Sequence, residues 1–534
     1  MTDRLSMDVD IVCVGFGPAT AGFLTELSKT PELPSAASPG MPLQVLCYER
    51  AEDIGFGVSG VVTRARGIRA SMPGLNLADI PMATPVTSER VAYLRDPKYG
   101  RNAVELPYIP PFLAKHDGIV MSLGQFLQYV GGQIMAAGAV QIWPGMPVEE
   151  AIVEGGRVCG VRLKDQGVDR EGTPDAGYMP GMDVRARLTV VGDGPVGAVG
   201  RQLADKQAHE WAVGMKMVVD LPQSCTLPAG TVLHTFGYPA PEIFGFFYVH
   251  PGNVASVGIF VPSWMQAPAQ TTYEYLQRYM LHPYLWRYLK GGRLRSWGAK
   301  SLNESGKQAE PLLVGDGFAR IGEGSGSTNV LTGSGVDEAW STGVLLARGV
   351  VELLRSEREL TRENLETAYL ARRRASWIEK EGRIAEHARD GFQHGMLAGL
   401  LGMALAGFTE GKLGFRARPR PMLDVTPQRR PLPEIPYDGE LLVSHQDALL
   451  MGGKVQAPGG FADHVRFLEP GICERCAFKR CVQMCSGQAI TAGEGGVPAF
   501  DREKCVHCGA CLWNCHHGVL AFQAGAGGLH SNEN

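Results

Sequence analysis

Eight of the chain's 12 cysteines fall between Cys473 and Cys515, and their spacing leaves few folds open to that part of the sequence. Cys505, Cys508, Cys511 and Cys515 follow C-x2-C-x2-C-x3-C, the run in which three thiolates wrap one [4Fe–4S] cube and the fourth reaches a neighbouring one. Cys473, Cys476, Cys481 and Cys485 follow C-x2-C-x4-C-x3-C, the same pattern with two residues inserted. Soft thiolates at such steps suit iron–sulfur clusters or zinc, and two interleaved quartets ending in the x3 step favour the ferredoxin arrangement. The crossed rule assigns Cys473, Cys476, Cys481 and Cys515 to one cluster, and Cys485, Cys505, Cys508 and Cys511 to the other. Ser486 and His516 replace the proline that usually follows the fourth ligand, which alters the turn and removes no ligand. "CLWNCHH" is one residue too long for haem attachment through C-x-x-C-H. The scattered Cys13, Cys47, Cys159 and Cys225 read as small core residues.

A cluster domain accounts for only the end of a chain of 534 residues, and about three domains are expected. The N-terminal charges precede a short apolar run that leads into a glycine motif and not into a cleavage site, so a cytoplasmic start is expected. A reducing compartment favours metal binding over disulfides for the clustered thiols. With a net charge of -4, bulk electrostatics offer nothing to a nucleic acid, and no nucleic-acid partner is expected.

The first strand, "VDIVCVGFG", the helical "PATAGFLTELSK" and a second strand, "LQVLCYER", form a βαβ unit. Gly15 and Gly17 permit a tight turn and close approach to a pyrophosphate facing the helix N-terminus, with Thr20 where a third glycine is usual. Glu49 closes the second strand, where a carboxylate can accept ribose hydroxyls. Two further glycine turns, at Asp193 with Gly194 and at Gly315 with Asp316, follow apolar runs. An NAD domain needs only the first unit, whereas an extended flavin commonly meets such turns from later strands, so FAD is the expected cofactor. In "SGSTNVLTGSGVDEAWSTG", Gly333 and Gly335 keep the backbone close to the flavin ring.

Residues 211–300 carry alternating runs such as "FGFFYVH" and "ASVGIFV", which predict an antiparallel sheet. The stretch from Gly391 to Phe408 is almost uncharged, but its apolar core from Gly395 is shorter than the roughly 20 residues a membrane span needs. Arg416, Arg418, Arg420, Arg429 and Arg430 follow it, so it suits either a buried helix or an interfacial one drawn to anionic lipid. The proline-rich stretch from Pro419 to Pro436 is the natural boundary before the cysteines.

With these residues in view, the chain resembles the electron transfer flavoprotein:quinone oxidoreductase family along almost its whole length. The likeness rests on "ERAEDIGFGVSG", "MATPVTSERVAYL", "VVGDGPVGAVGRQL", "GTVLHTFGYP", "LHPYLWRYLKGGRLRSWGAKSLNESG", "PLLVGDGF" and "CVHCGAC". It implies an α/β and α+β architecture: a Rossmann-like FAD domain (1–105, 145–210 and 310–390), an antiparallel quinone-binding and membrane-contact domain (106–144 and 211–309), an interfacial apolar segment and linker (391–436), and a ferredoxin-like domain (437–534). It adds Arg50, Ser59 and Gly60 to the FAD site, and places the membrane contact on "LPYIPPFL" and on Gly391 to Phe408. The family's glycine pair before an aromatic strand, which meets a quinone carbonyl, falls on Phe244 and Gly245, so the first glycine is replaced and the quinone, ubiquinone or menaquinone, stays open. The family's single cluster matches Cys485, Cys505, Cys508 and Cys511, which makes the other set an addition.

The resemblance implies electron flow from reduced electron transfer flavoprotein through clusters and FAD to a membrane quinone, at the cytoplasmic face of the inner (plasma) membrane. Two rivals are a flavin-dependent reductase of an isoprenoid-like lipid and an electron-relay subunit of a larger complex without quinone turnover. Tyr248 and His250 are candidates for supplying protons to the quinone.

Overall fold

The computed structural model describes residues 4–57, 60–99, 102–206, 208–263, 265, 271–416, 438–451 and 460–522. The first half is built from β1 (Ser6–Val14), α1 (Pro18–Leu27), β2 (Val45–Tyr48), β3 (Ser88–Leu94), α2 (Leu123–Ala136), β4 (Val140–Trp143) and β5 (Asp183–Val191). Then come β6 (Trp211–Asp220), β7 (Thr231–Phe236), β8 (Phe244–His250), β9 (Val254–Pro262), α3 (Thr272–Met280) and β10 (Arg293–Asn303). A short hairpin, β11 (Val314–Gly315) and β12 (Phe318–Arg320), leads to α4 (Val336–Arg355) and later to α5 (Met396–Phe408).

β1 lies in the middle of a sheet ordered β11-β12-β5-β1-β2-β4, in which β4, β2, β1, β5 and β12 run parallel. Its continuous apolar run fits a strand covered on both faces. α1 and α4 cover one face almost backbone to backbone: a Cβ on Gly343 would fall 1.9 Å from the carbonyl oxygen of Ala19, and one on Gly22 2.5 Å from that of Trp340. The hairpin Val148–Glu154 and Arg157–Leu163 adds to β5 on the other face.

The second sheet is ordered β10-β6-β9-β8-β7-β3, with Ala103–Glu105 at its edge, and is antiparallel apart from the β7–β3 pair. Side chains alternate across it. Met215, Met217, Val257 and Ile259 pack under α3 with Tyr273, Leu276 and Tyr279, while the opposite face turns toward the first sheet.

Two expected boundaries shift. β3, inside the stretch 1–105 assigned to the FAD domain, pairs with β7 in the second sheet. α2 and β4, inside 106–144 assigned to the quinone domain, belong to the first sheet: β4 extends it beside β2, and Phe126, Leu127, Val130 and Ile134 join the core with α1. The reason is local: a third parallel strand needs a crossover helix, and "LGQFLQYVGGQIMA" supplies it.

α5 is a 13-residue helix that buries Gly399, Gly402 and Ala406 and turns Leu397, at 84% exposed, and Phe408, at 62%, outward with Leu401. Phe112 packs edge-on against Phe408 at 5.4 Å, so the segment after Leu106 and α5 form one exposed apolar patch. Among the described residues no helix is long and apolar enough to cross a membrane. The proline-rich boundary from Pro419 to Pro436 and the arginines beyond Arg416 lie outside the described residues.

In the cysteine domain two small antiparallel pairs, Val465–Phe467 with Leu520–Phe522 and Ile490–Thr491 with Ala499–Phe500, flank the ligands. Trp211 of the second sheet stacks on Trp513, and the amide of Ser301 donates to the carbonyl of Cys508 at 2.8 Å. The domain is therefore seated on β6 and β10.

Candidate functional site

At the carboxyl ends of β1, β2 and β5 lies a cavity of about 210 Å³. Gly15 turns there with φ of +81°, where an added Cβ would stand 3.0 Å from the carbonyl oxygen of Gly192. α1 begins immediately afterwards, with Gly17 as N-cap and no side chain capping it, so its first N–H groups face the cavity. Glu49 is held at the rim by the amides of Phe16 (2.7 Å) and Ala51 (2.9 Å). Asp193 and Gly194 form the opposite wall. The carboxylate of Asp193 accepts from the amide of Gly200 at 2.9 Å, and burial raises its pKa. Glycine turn, helix N-terminus and carboxylate at the second strand's end fit the adenosine diphosphate half of FAD.

A second cavity, of about 330 Å³, shares Gly17, Pro18, Gly192 and Gly194 with the first and continues between the two sheets. Gly60, Gly333 and Gly335 line it, together with Phe246 and Phe260 from the second sheet. Its polar rim consists of pairs: Lys300 Nζ donates to Glu323 at 2.9 Å, and Arg389 binds Glu304. A largely apolar slot continuous with the nucleotide site fits a flat redox ring.

Several expected residues stand elsewhere. Gly315 ends β11 and Asp316 opens the turn of the β11–β12 hairpin, at the opposite end of β12 from the cavities, and Asp316 receives the amide of Arg362 at 2.9 Å. The strand that reaches the site is β12, and its far end delivers Gly322 and Glu323 instead. Thr20 is buried beneath Gly192 and lines neither cavity; a Cβ on Gly192 would meet its Oγ1 at 2.3 Å. Gly245 faces away from the slot, since its Cβ position lies 2.4 Å from the Tyr279 ring, and Phe244 packs edge-on against Phe392 at 5.9 Å. Alternation along β8 turns Phe246 to the slot in place of Gly245, while Phe244, on the same face as Phe246, is taken up at the strand's start by Phe392. His250 spends both ring nitrogens on Met82 O and Ser256 Oγ, each at 2.9 Å, and burial lowers its pKa to about 4. Tyr248 meets His234 Nε2 at 2.9 Å, and burial raises its pKa well above the usual phenol range. Neither lines the slot as a proton source. Ser59 lies outside the described residues.

The cysteines gather in the crossed sets. Cys473, Cys476, Cys481 and Cys515 line one small cavity. Burial, then repulsion from Cys515 among others, raises the thiol pKa of Cys473 and, to about 12, that of Cys481. Cys485, Cys505, Cys508 and Cys511 repel one another in a second group. Cys485 Sγ accepts from the amides of Ala489 and Ile490 at 3.2 and 3.3 Å, and Cys505 Sγ from that of His507 at 3.4 Å. Four converging thiols whose charge needs cations, with N–H groups aimed at sulfur, fit the ligation of an iron–sulfur cube. Among the lone cysteines, Cys13 and Cys47 are core residues on neighbouring strands, while Cys159 and Cys225 are half-buried. His507 and Cys508 line the nucleotide cavity, and Arg50 Nη1 lies 3.5 Å from His507 Nδ1. Spacing rules had singled out neither His507, Lys300, Lys216 nor the Gly322–Glu323 turn.

Fold and site together define a flavin-dependent oxidoreductase with an iron–sulfur domain set against its flavin cleft. Residues 211–302 match the family described as ETF-QO, ubiquinone-binding, and residues 497–520 match a 4Fe-4S binding domain. Electron transfer flavoprotein-ubiquinone oxidoreductase of Pseudomonas aeruginosa is 31% identical over 394 residues, 71% of this chain and 69% of that protein. The mitochondrial protein of the same name from Arabidopsis thaliana is 26% identical over 535 residues, 95% of this chain and 81% of its own. A solved geranylgeranyl bacteriochlorophyll reductase-like protein from Thermoplasma acidophilum shares the fold, with a TM-score of 0.53 and 17% identity over 76% of this chain and 90% of that one. The chain belongs to the electron transfer flavoprotein-ubiquinone oxidoreductase family. It is an oxidoreductase that moves electrons from electron transfer flavoprotein to a quinone, with FAD and an iron–sulfur cluster as its cofactors.

Proposed function

We propose that the chain carries two [4Fe–4S] clusters in series with FAD and serves ubiquinone or menaquinone at a membrane surface, bound peripherally on the cytoplasmic face of the inner membrane. When bound, the clusters and FAD supply the relay, with the flavin converting single-electron steps into the two-electron reduction of a quinone. Cys473, Cys476, Cys481 and Cys515 would hold the outer cluster, and Cys485, Cys505, Cys508 and Cys511 the inner one. Gly15, Gly17 and the start of α1 would cradle the pyrophosphate, and Glu49 would take the ribose. Asp193, Gly194, Gly60, Gly333 and Gly335 would close around the rest of the flavin.

One observation carries this reading: His507 and Cys508, from the inner cysteine set, line the same cavity as Gly15 and Glu49. At the other end, Val330 and Arg389 of the slot lie beside the packing of α5 through Ala385, Ala388 and Ala406. The chain's task is to hold these groups in line, keep water from the slot, and bring the slot's apolar end to a lipid surface.

Anaerobic mixing with reduced electron transfer flavoprotein and a short-chain quinone tests the activity; failure of quinone reduction above background would refute it. Iron and acid-labile sulfide counts test the clusters, since a fully loaded chain with roughly four iron atoms would hold one cube and not two.

A further inference from the structure

The face of the second sheet that floors the slot carries glycines around one position. Lys216 on β6 pairs in register with Gly258 on β9 and with Gly298 on β10. Two residues away on its own strand, the same face carries Gly214, which also lines the slot. Phe246 and Phe260 rise at one side of this floor, and a Cβ added to Gly60 would approach Lys216 Nζ to 2.9 Å. The two rings pack over these glycines, a Cβ on Gly258 falling 2.4 Å from the Phe246 ring and one on Gly214 3.1 Å from that of Phe260, so the slot's wall here is aromatic with one amine beside it.

Lys216 is 1% exposed, and among the described residues its Nζ has no hydrogen-bond partner. The slot's other two cations are each tied to a carboxylate, Lys300 to Glu323 and Arg389 to Glu304. No carboxylate among the described residues forms an ion pair with Lys216. Burying an ammonium without an opposite charge costs several kcal/mol, and an apolar side chain of the same length would pack there without that penalty. Burial pushes its pKa far below the usual lysine range, so a neighbouring negative charge would have a large effect on its protonation.

We propose that Lys216 is the cationic partner of the planar redox ring lying on this floor, with its amine against the ring atoms that gain negative charge on reduction. The ring is the flavin or a quinone stacked against it; both share that chemistry. For each two electrons delivered by electron transfer flavoprotein, one proton joins the ring and a second joins the Lys216 amine. Ammonium and ring anion then form together, and the buried slot gains no net charge. The inference deepens the proposed function and rests on its placement of FAD in this cleft.

The test uses the full-length, cofactor-loaded chain and its Lys216→Met variant. The flavin midpoint potential is measured without quinone, the KM and kcat for a short-chain quinone are measured separately, and the cofactor-free chains are melted. If the flavin is the partner, Lys216→Met shifts the reduction equilibrium at least tenfold toward the oxidised form, about 30 mV for a two-electron couple. If the quinone is the partner, the flavin potential holds while the KM rises at least tenfold with kcat retained. Either result supports the proposal, provided the cofactor-free variant melts at or above the parent temperature. Unchanged potential and unchanged KM would overturn it, as would a lower melting temperature with both unchanged, which would mark a structural lysine. A parent chain that purifies without flavin and does not bind it would overturn the placement of FAD itself, and the Lys216 proposal with it.

Discussion

The backbone amide of Ser301 donates a hydrogen bond to the carbonyl oxygen of Cys508 over 2.8 Å. Ser301 is the next residue after Lys300, which lines both cavities, so one short contact ties Cys508 to the strand that walls the flavin cleft. The Ser301 hydroxyl also accepts the indole N–H of Trp513 at 2.8 Å, and that indole stacks on Trp211 with ring centres 6.3 Å apart.

Trp513→Ala should therefore loosen the seat of the cysteine domain. Loss of a buried tryptophan costs about 3–5 kcal/mol, and here the loss falls on the junction. Stopped-flow reduction should show the clusters still accepting electrons while flavin reduction slows. Unaltered flavin reduction would mean that the contact does not hold the two parts in register.

The crossed cysteine sets make opposite predictions for two neighbouring residues. Cys481→Ser should remove the outer cluster alone, and Cys485→Ser the inner one, each lowering iron from about eight to about four atoms per chain. Electron paramagnetic resonance of the reduced variants should show different surviving signals. A Cys481→Ser chain with the parent's iron content would dismiss the outer cluster.

Gly15→Ala should weaken flavin retention at least tenfold. The new Cβ would sit 3.0 Å from Gly192 O and 3.1 Å from the Asp193 Cα, on a backbone with φ of +81°, where a side chain adds about 1–2 kcal/mol of strain. Flavin content after gel filtration is the readout.

Glu379 should make the fold acid-sensitive. Burial acts to raise its pKa, but Lys307, Arg383 and Arg374, each at 2.7 Å, outweigh burial and hold it at about 2. A folded pKa below the unfolded value near 4.3 adds stability above that value, and the gain is lost as pH falls toward about 2. Arg383 is largely exposed, so solvent screens part of the gain, leaving about 1–2 kcal/mol. Denaturant titrations at about pH 7, 5 and 3 should find Glu379→Gln weaker than the parent by that amount at the first two and by roughly half of it at the third.

The apolar patch on α5 should set membrane affinity. Leu397, Leu401 and Phe408 are exposed in the folded chain. Replacing each with serine removes about 1.5 kcal/mol of burial in lipid, roughly tenfold per site, and should change folding stability by no more than about 0.5 kcal/mol. Vesicle sedimentation of the triple variant should show binding lost with the melting curve intact. Binding equal to the parent's would move the lipid contact to another surface.

Local pattern was enough for the βαβ opening and for an iron–sulfur domain. In "VDIVCVGFGPATAG" each residue's neighbours in sequence are also its neighbours in the turn, and the C-x2-C steps place thiols within one short loop. The x3 step fixes a crossing of Cys485 and Cys515 as the expectation for cube ligation, and Cys515 stands in one small cavity with Cys473, Cys476 and Cys481. The two "GDG" turns were not separable this way. The first follows the nine-residue β5 and lands at the carboxyl end of a parallel strand; the second follows the two-residue β11 and closes a hairpin. Identical letters took opposite ends of the sheet because the neighbouring strands decide direction.

The same holds on β8, where a shift of one residue separates Gly245, packed on Tyr279, from Phe246 in the slot. Composition and spacing thus settled the cofactor classes, since glycine turns and thiolate steps act within a few bonds of themselves. Lys216 is the contrary case. In "VGMKMVV" it reads as one charge in an apolar strand. Its glycine neighbours come from β9 and β10, far along the chain, and only register across the folded sheet sets its buried amine at the slot.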